Sequence, residues 1–125
     1  MLAQSMVYSS FSTHKLLETY TFYTDILGLK AKLVKGRFIH LYLPGGHTHV
    51  IYFKANHQAS ESTVLNFQVN DIAQIVDTLS AKGVTFLQLD APFQTDSKGI
   101  SWDDDGSHLA WFKDPGGNII ALIEN

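Results

Sequence analysis

Apolar and polar residues alternate from Val7 to Phe11, which reads as a strand with Val7 and Phe11 on one side and Tyr8, Ser10 and Ser12 on the other. Beyond Ser12 and Thr13, either of which offers an N-cap oxygen, the spacing becomes helical. Leu16, Leu17, Tyr20, Tyr23, Ile26 and Leu27 make one stripe. Gly28 stands where a helix ends on a left-handed residue. Strand-like runs follow at Leu29–Val34, Arg37–Leu43 and His49–Lys54, with turns at Lys35-Gly36 and Pro44-Gly45-Gly46.

After a polar linker near Asn56–Ser62 the plan repeats. Val64–Val69 reads as a strand and Asp71 as an N-cap. Ile72, Ile75, Val76 and Leu79 form a helical stripe that Gly83 closes. Strands are then expected at Val84–Leu89, His108–Lys113 and Ile119–Ile123, the last two joined by Pro115-Gly116-Gly117. The two helix-ending glycines lie 55 apart and the two Pro-Gly-Gly turns 71 apart, so the second copy carries 16 extra residues, assigned to a loop at Asp90–Ser107. A long loop in only one copy of a repeat is a candidate functional loop. The expected fold is α+β: one domain over residues 1–125, made of a βαβββ module at about 1–56 and another at about 62–125. Their strands are expected to form a curved mixed sheet with the helices on its outer face.

Three segments carry a resemblance. Phe22-Tyr23-Thr24-Asp25-Ile26-Leu27-Gly28-Leu29, Phe112-Lys113-Asp114-Pro115-Gly116-Gly117-Asn118 and Gln68-Val69-Asn70-Asp71-Ile72 together resemble the vicinal oxygen chelate superfamily of glyoxalases, extradiol dioxygenases and bleomycin-resistance proteins. Such motifs report the fold and not the chemistry. The resemblance implies a divalent metal held by His and Glu, at positions that fall here on Tyr8, Val64 and Ala121. Valine and alanine have no donor atom, and tyrosine binds metal only as phenolate. Glu124 lies an odd number of positions from Ala121, so it faces the other way and reads as a solvated terminal residue. No metal and no other cofactor is therefore expected.

The six histidines fall in different settings. His47 and His49 have the spacing of a strand chelate but read as residues of a solvated turn, while His14 and His57 read as helix-start and linker residues. His40 and Trp111 each precede a Pro-Gly-Gly proline by four, so they are expected at equivalent, ligand-facing places. His108 has the opposite parity to Trp111. Parity also groups Asn66 and Gln68 with Val64 in the fifth strand, and Leu109 with Trp111. The candidate ligand-binding set is Tyr8, Ser10, His40, Asn66, Gln68, Trp102 and Trp111. A few polar groups among apolar and aromatic ones is the usual lining of a small-molecule site. Trp102, followed by Asp103, Asp104 and Asp105 with Asp90 and Asp96 upstream, makes a planar cation one candidate ligand, with the loop as lid.

Composition narrows the classes. Hydrophobic residues are 45% of the chain, net charge is −3 and cysteine is absent. A slightly acidic chain does not suit nucleic acid, disulfide and thiolate chemistry are excluded, and no apolar run is long enough to span a bilayer. The first residues lack the basic and apolar regions of a signal peptide. A cytoplasmic protein is expected, with a small-molecule partner and, as the resemblance implies, a homodimer. Three functions remain: metal-independent sequestration like that of the bleomycin-resistance type, a metal-dependent lyase, isomerase or dioxygenase, and a non-catalytic regulatory module that binds a metabolite.

Overall fold

The computed structural model describes residues 1–125, which divide into two compact units, Met1–Gln58 and Ala59–Asn125. Each unit carries its own four-stranded mixed sheet, so the architecture is α+β. No helix is long and apolar enough to cross a membrane.

The first unit comprises β1 (Ser9–Thr13), α1 (Leu16–Thr21), a π-helical turn (Phe22–Ile26), β2 (Lys30–Val34), β3 (Phe38–Leu43), a 3₁₀ turn (Pro44–Gly46) and β4 (His47–Phe53). Strand order is β1-β4-β3-β2, with β1 parallel to β4 and the other pairs antiparallel. The helical stripe predicted as continuous to Leu27 changes pitch after Thr21. Thr24 donates its hydroxyl to the Tyr20 carbonyl at 2.9 Å, and the Leu27 N–H reaches back five residues to Phe22. A side-chain bond to the preceding turn loosens the i to i−4 ladder, and a π turn absorbs the slack. The expected N-cap is also different. Helix α1 begins after Lys15 with no side-chain cap, and Thr13 instead accepts the Lys15 N–H and bonds the Thr19 hydroxyl, both threonines being buried. Gly28 ends the segment at φ +73°, as its position predicts.

The interior of this unit lies on the helix side of the sheet, where Ile39, Leu41 and Ile51 are fully buried beside Tyr23. His49 belongs to this face and not to a solvated turn: it is 2% exposed, and its ring lies 4.4 Å from that of Phe11. Its Nδ1 is 2.7 Å from Ser9 Oγ, which also bonds His47 Nε2, while its own Nε2 is buried without a partner. Burial, and secondarily the nearby His47, lowers its pKa to about 4.

The second unit comprises β5 (Thr63–Gln68), α2 (Ile72–Ala81), β6 (Ile100–Trp102), β7 (His108–Lys113) and β8 (Ile119–Glu124), in the order β5-β8-β7-β6 with β5 parallel to β8. Asp71 caps α2 by accepting the Gln74 N–H, and Ile72, Val76 and Leu79 bury its stripe. Phe112, Ile120 and Leu122 meet that stripe from the sheet, joined by Phe86 edge-on to Phe112. Burying each large apolar side chain contributes about 1.5–3 kcal/mol. The β7–β8 turn is held by Asp114, which is 4% exposed. It accepts the N–H groups of Gly116 and Asn118 and the Asn118 side-chain amide.

One expected strand is interrupted. Val84–Leu89 reaches β7 only through a bridge from Phe86 to Phe112 and a bond from the Leu87 N–H to the Trp111 carbonyl. The pairing resumes with Ile100 opposite Ala110, inside the stretch expected to be loop. In the first unit the corresponding pairs, Lys32 with His40 and Leu33 with Ile39, are consecutive. Residues 88–99 are thus an excursion out of a strand, and further extra residues lengthen the following hairpin turn.

The excursion closes on Gly99, whose φ is +88°, and a Cβ there would sit 2.6 Å from Phe86 Cβ and 3.2 Å from the Leu87 carbonyl oxygen. Gly99→Ala should lower unfolding free energy by about 2 kcal/mol or more, as measured by denaturant melts; an unchanged midpoint would contradict this reading. His49 gives a pH signature. Its folded pKa lies below the unfolded value near 6.5, so the unfolded chain binds more protons between pH 6.5 and about 4, and stability falls as pH drops through that window. His49→Gln should remove that part of the slope, as checked by urea melts at a series of pH values.

Candidate functional site

Side chains alternate across each sheet, so register decides which residues share the face away from the helix. In the first sheet one row is Ser10, Val50, His40 and Lys32, and the next is Ser12, Tyr52, Phe38 and Val34. Ser10 and His40 therefore lie in a single row, with Val50 between them. Ser12 Oγ is 2.5 Å from His57 Nδ1, and the His57 ring stacks on that of His14. His14 at the helix start and His57 in the linker, as expected, are brought together in a small cluster. Tyr8 precedes β1 and is 64% exposed.

In the second sheet the matching rows are Asn66, Ala121 and Trp111, then Gln68, Ile123, Leu109 and Ser101. The equivalence expected for His40 and Trp111 holds at the level of register: His40 pairs with Val50 beside Ser10, as Trp111 pairs with Ala121 beside Asn66. Strands lie about 4.8 Å apart, so the Asn66 to Trp111 row spans roughly 10 Å. Ala121 in its centre is 1% exposed. Phe93, from the 88–99 excursion, places its ring 6.1 Å from that of Trp111 at 61°, an edge-to-face contact. Sequence reading missed Phe93. It sits in a non-periodic stretch, and its only textual signal is a large aromatic inside the insertion.

Trp102 is placed elsewhere. It pairs with His108, which pairs with Glu124, so these three share the helix side of the sheet, opposite Trp111. The Trp102 ring lies 4.3 Å from that of His108, and its Nε1 donates to Asp96 at 2.8 Å. Partial burial works to raise the Asp96 carboxyl, but hydrogen bonds from Trp102, Ile100, Lys98 and Gly99 hold it below its ordinary value. Asp103, Asp104 and Asp105 serve their own hairpin turn: Asp103 accepts the Asp104 N–H and Asp105 that of Ser107. Glu124 faces away from Ala121, as predicted. It is not merely solvated, however. One oxygen accepts the Ile72 N–H at the start of α2 and the other lies 3.6 Å from His108 Nε2.

The metal implied by the resemblance does not fit these residues. Ala121 is buried and Val64 falls at the bulge between Thr63 and Leu65, and neither has a donor atom. No three His, Asp or Glu side chains converge as a metal site would require.

Several solved structures share this fold. An integron cassette protein from the mobile metagenome of a Halifax Harbour sewage outfall superposes with a TM-score of 0.69 at 19% identity, covering 98% of this chain and 99% of its own. A lactoylglutathione lyase from Agrobacterium tumefaciens gives 0.70 at 15%, covering 98% and 94%. A member of the glyoxalase/bleomycin resistance protein/dioxygenase superfamily from Sphaerobacter thermophilus gives 0.71 at 21%, covering 96% and 98%. At such identities the likeness concerns the fold alone. No curated protein matches the chain significantly. Residues 11–122, however, match the family profile itself, and the chain belongs to the Glyoxalase/Bleomycin resistance protein/Dioxygenase superfamily.

Proposed function

We propose that this protein binds a small aromatic molecule on the Trp111 face of its second sheet without a metal ion, as a sequestering protein of the bleomycin-resistance kind. The observation that carries the reading is the row Asn66, Ala121, Trp111: an amide and an indole flank the place where the resemblance calls for a metal-binding carboxylate. An indole held on a strand supplies a flat, rigid contact, and the exposed amides of Asn66 and Gln68 supply donors and acceptors for a polar substituent. A positive charge on the ligand is not required. The carboxylates of Asp103 and Asp105 accept N–H groups of their own hairpin turn, and Trp102 stands on the opposite face. Catalysis of the metal-dependent kind has no donor set here to support it. Ser10 and His40 form the equivalent row of the first sheet.

A thermal-shift screen of chelator-treated protein against small aromatic compounds, 2-naphthoate and proflavine among them, should give ligands that raise the melting temperature. Trp111→Ala should weaken their binding at least tenfold, loss of an aromatic contact and its buried area being worth about 1.4 kcal/mol or more. Binding that requires added Zn²⁺, Ni²⁺, Fe²⁺ or Mn²⁺, or that survives Trp111→Ala, would overturn the proposal. We also propose that the protein works as a twofold dimer. Light scattering at micromolar concentration should return twice the 13.9 kDa chain mass, and a stable monomer would refute this.

A further inference from the structure

The excursion at residues 88–99 has a firm root and a sparsely held tip. At the root, the Leu89 N–H donates to Thr95 Oγ1 at 2.9 Å and the Thr95 N–H to the Leu89 carbonyl at 3.0 Å. Asp96 accepts the N–H groups of Lys98 and Ile100 on one oxygen and the Trp102 indole N–H on the other. Lys98 reaches Asp77 on α2 at 3.0 Å, and Gly99 is pressed against Phe86. Between Leu89 and Thr95, residues 90–94 are all exposed. The one large side chain there, Phe93, is 50% exposed and contributes nothing to the core; its ring contact is with Trp111.

The place of departure explains the aim of this tip. Leu87 is bonded to Trp111 across the ladder, and the chain leaves the strand immediately after it, beside the indole. The first sheet has no such departure: Lys32, opposite His40, runs straight on to Leu33. An aromatic residue fixed on a strand is thus faced by a second one carried on a tip with anchored ends.

Building on the reading of the Trp111 face as the ligand surface, we propose that residues 90–94 are a flap whose Phe93 closes on a ligand against Trp111, selecting planar aromatic rings. Two rings prefer edge-to-face or offset contacts, and a flat ligand satisfies both partners at once. A puckered, saturated molecule of equal bulk does not.

The test uses the full chain, chelator-treated, with 2-naphthoate and its saturated counterpart decahydro-2-naphthoate as probes in calorimetric and stopped-flow titrations. Phe93→Ala should weaken 2-naphthoate about tenfold, mainly through faster dissociation, and change the saturated probe less than twofold. Phe93→Leu, which keeps apolar bulk without a ring, should behave like Phe93→Ala toward 2-naphthoate. Thermal melts of both variants should match the parent, since the side chain lies outside the core. If Trp111→Ala abolishes 2-naphthoate binding while Phe93→Ala leaves it unchanged, the flap is overturned and the Trp111 surface stands. Equal losses for the two probes would overturn the selection of planar rings. Failure of 2-naphthoate to bind the unaltered protein would overturn the planar-aromatic assignment, leaving the Trp111 face to the wider screen.

Discussion

In each unit the first strand lies parallel to the last, β1 against β4 and β5 against β8, and the chain between them must cross over before it can return. Parallel neighbours cannot be joined by a tight turn, so the crossover is taken by a helix that covers one face of the sheet. That single requirement sorts the side chains. Residues of one parity go under the helix, where Ile39, Leu41, Ile51, Phe112, Ile120 and Leu122 are buried. Residues of the other parity are left on the face away from the helix, among them Ser10, His40, Asn66 and Trp111. A shift of register by one position would exchange the two sets.

On the helix side each unit leaves one histidine ring nitrogen buried without a partner, His49 Nε2 in the first and His108 Nδ1 in the second. The second unit ties Glu124 to the start of α2 and to His108, so the last strand and the helix are joined by a hydrogen bond as well as by apolar contact. The first unit buries His49 with Nδ1 bonded to Ser9 and Nε2 bare. A bare ring nitrogen in the interior is tolerable only while the imidazole is neutral, so the histidine behaves as an aromatic core residue packed on Phe11.

Much of this organisation was legible in the sequence because it rests on local rules. Gly28 and Asp71 mark a helix end and a helix start by backbone and capping chemistry that needs no tertiary information, and the offset of the two Pro-Gly-Gly turns aligns His40 with Trp111. The illegible parts depend on partners remote in sequence. Val84–Leu89 has the apolar and β-branched content of a strand, yet only Phe86 and Leu87 find β7, because such content reports compatibility with a ladder and not the presence of one. Ile100–Trp102 is too short to announce itself beside an aspartate run. A loop leaves the face of Trp102 unassigned, so the sequence groups two tryptophans that stand on opposite sides of the sheet. The capping of α2 by Glu124 spans the length of the unit and has no local signal.

The excursion after Leu87 leaves and re-enters the sheet at neighbouring rungs, with Gly99 allowing outgoing and returning backbone to touch. Such a joint behaves as a socket. The segment plugged into it is already closed at its base, and the entropy of closing a longer loop grows only slowly with its length. Changes in the tip leave the strands on either side in register and the α2 stripe buried. On the flap proposal, variation in the ligand the tip closes on is thereby uncoupled from variation in how well the protein folds.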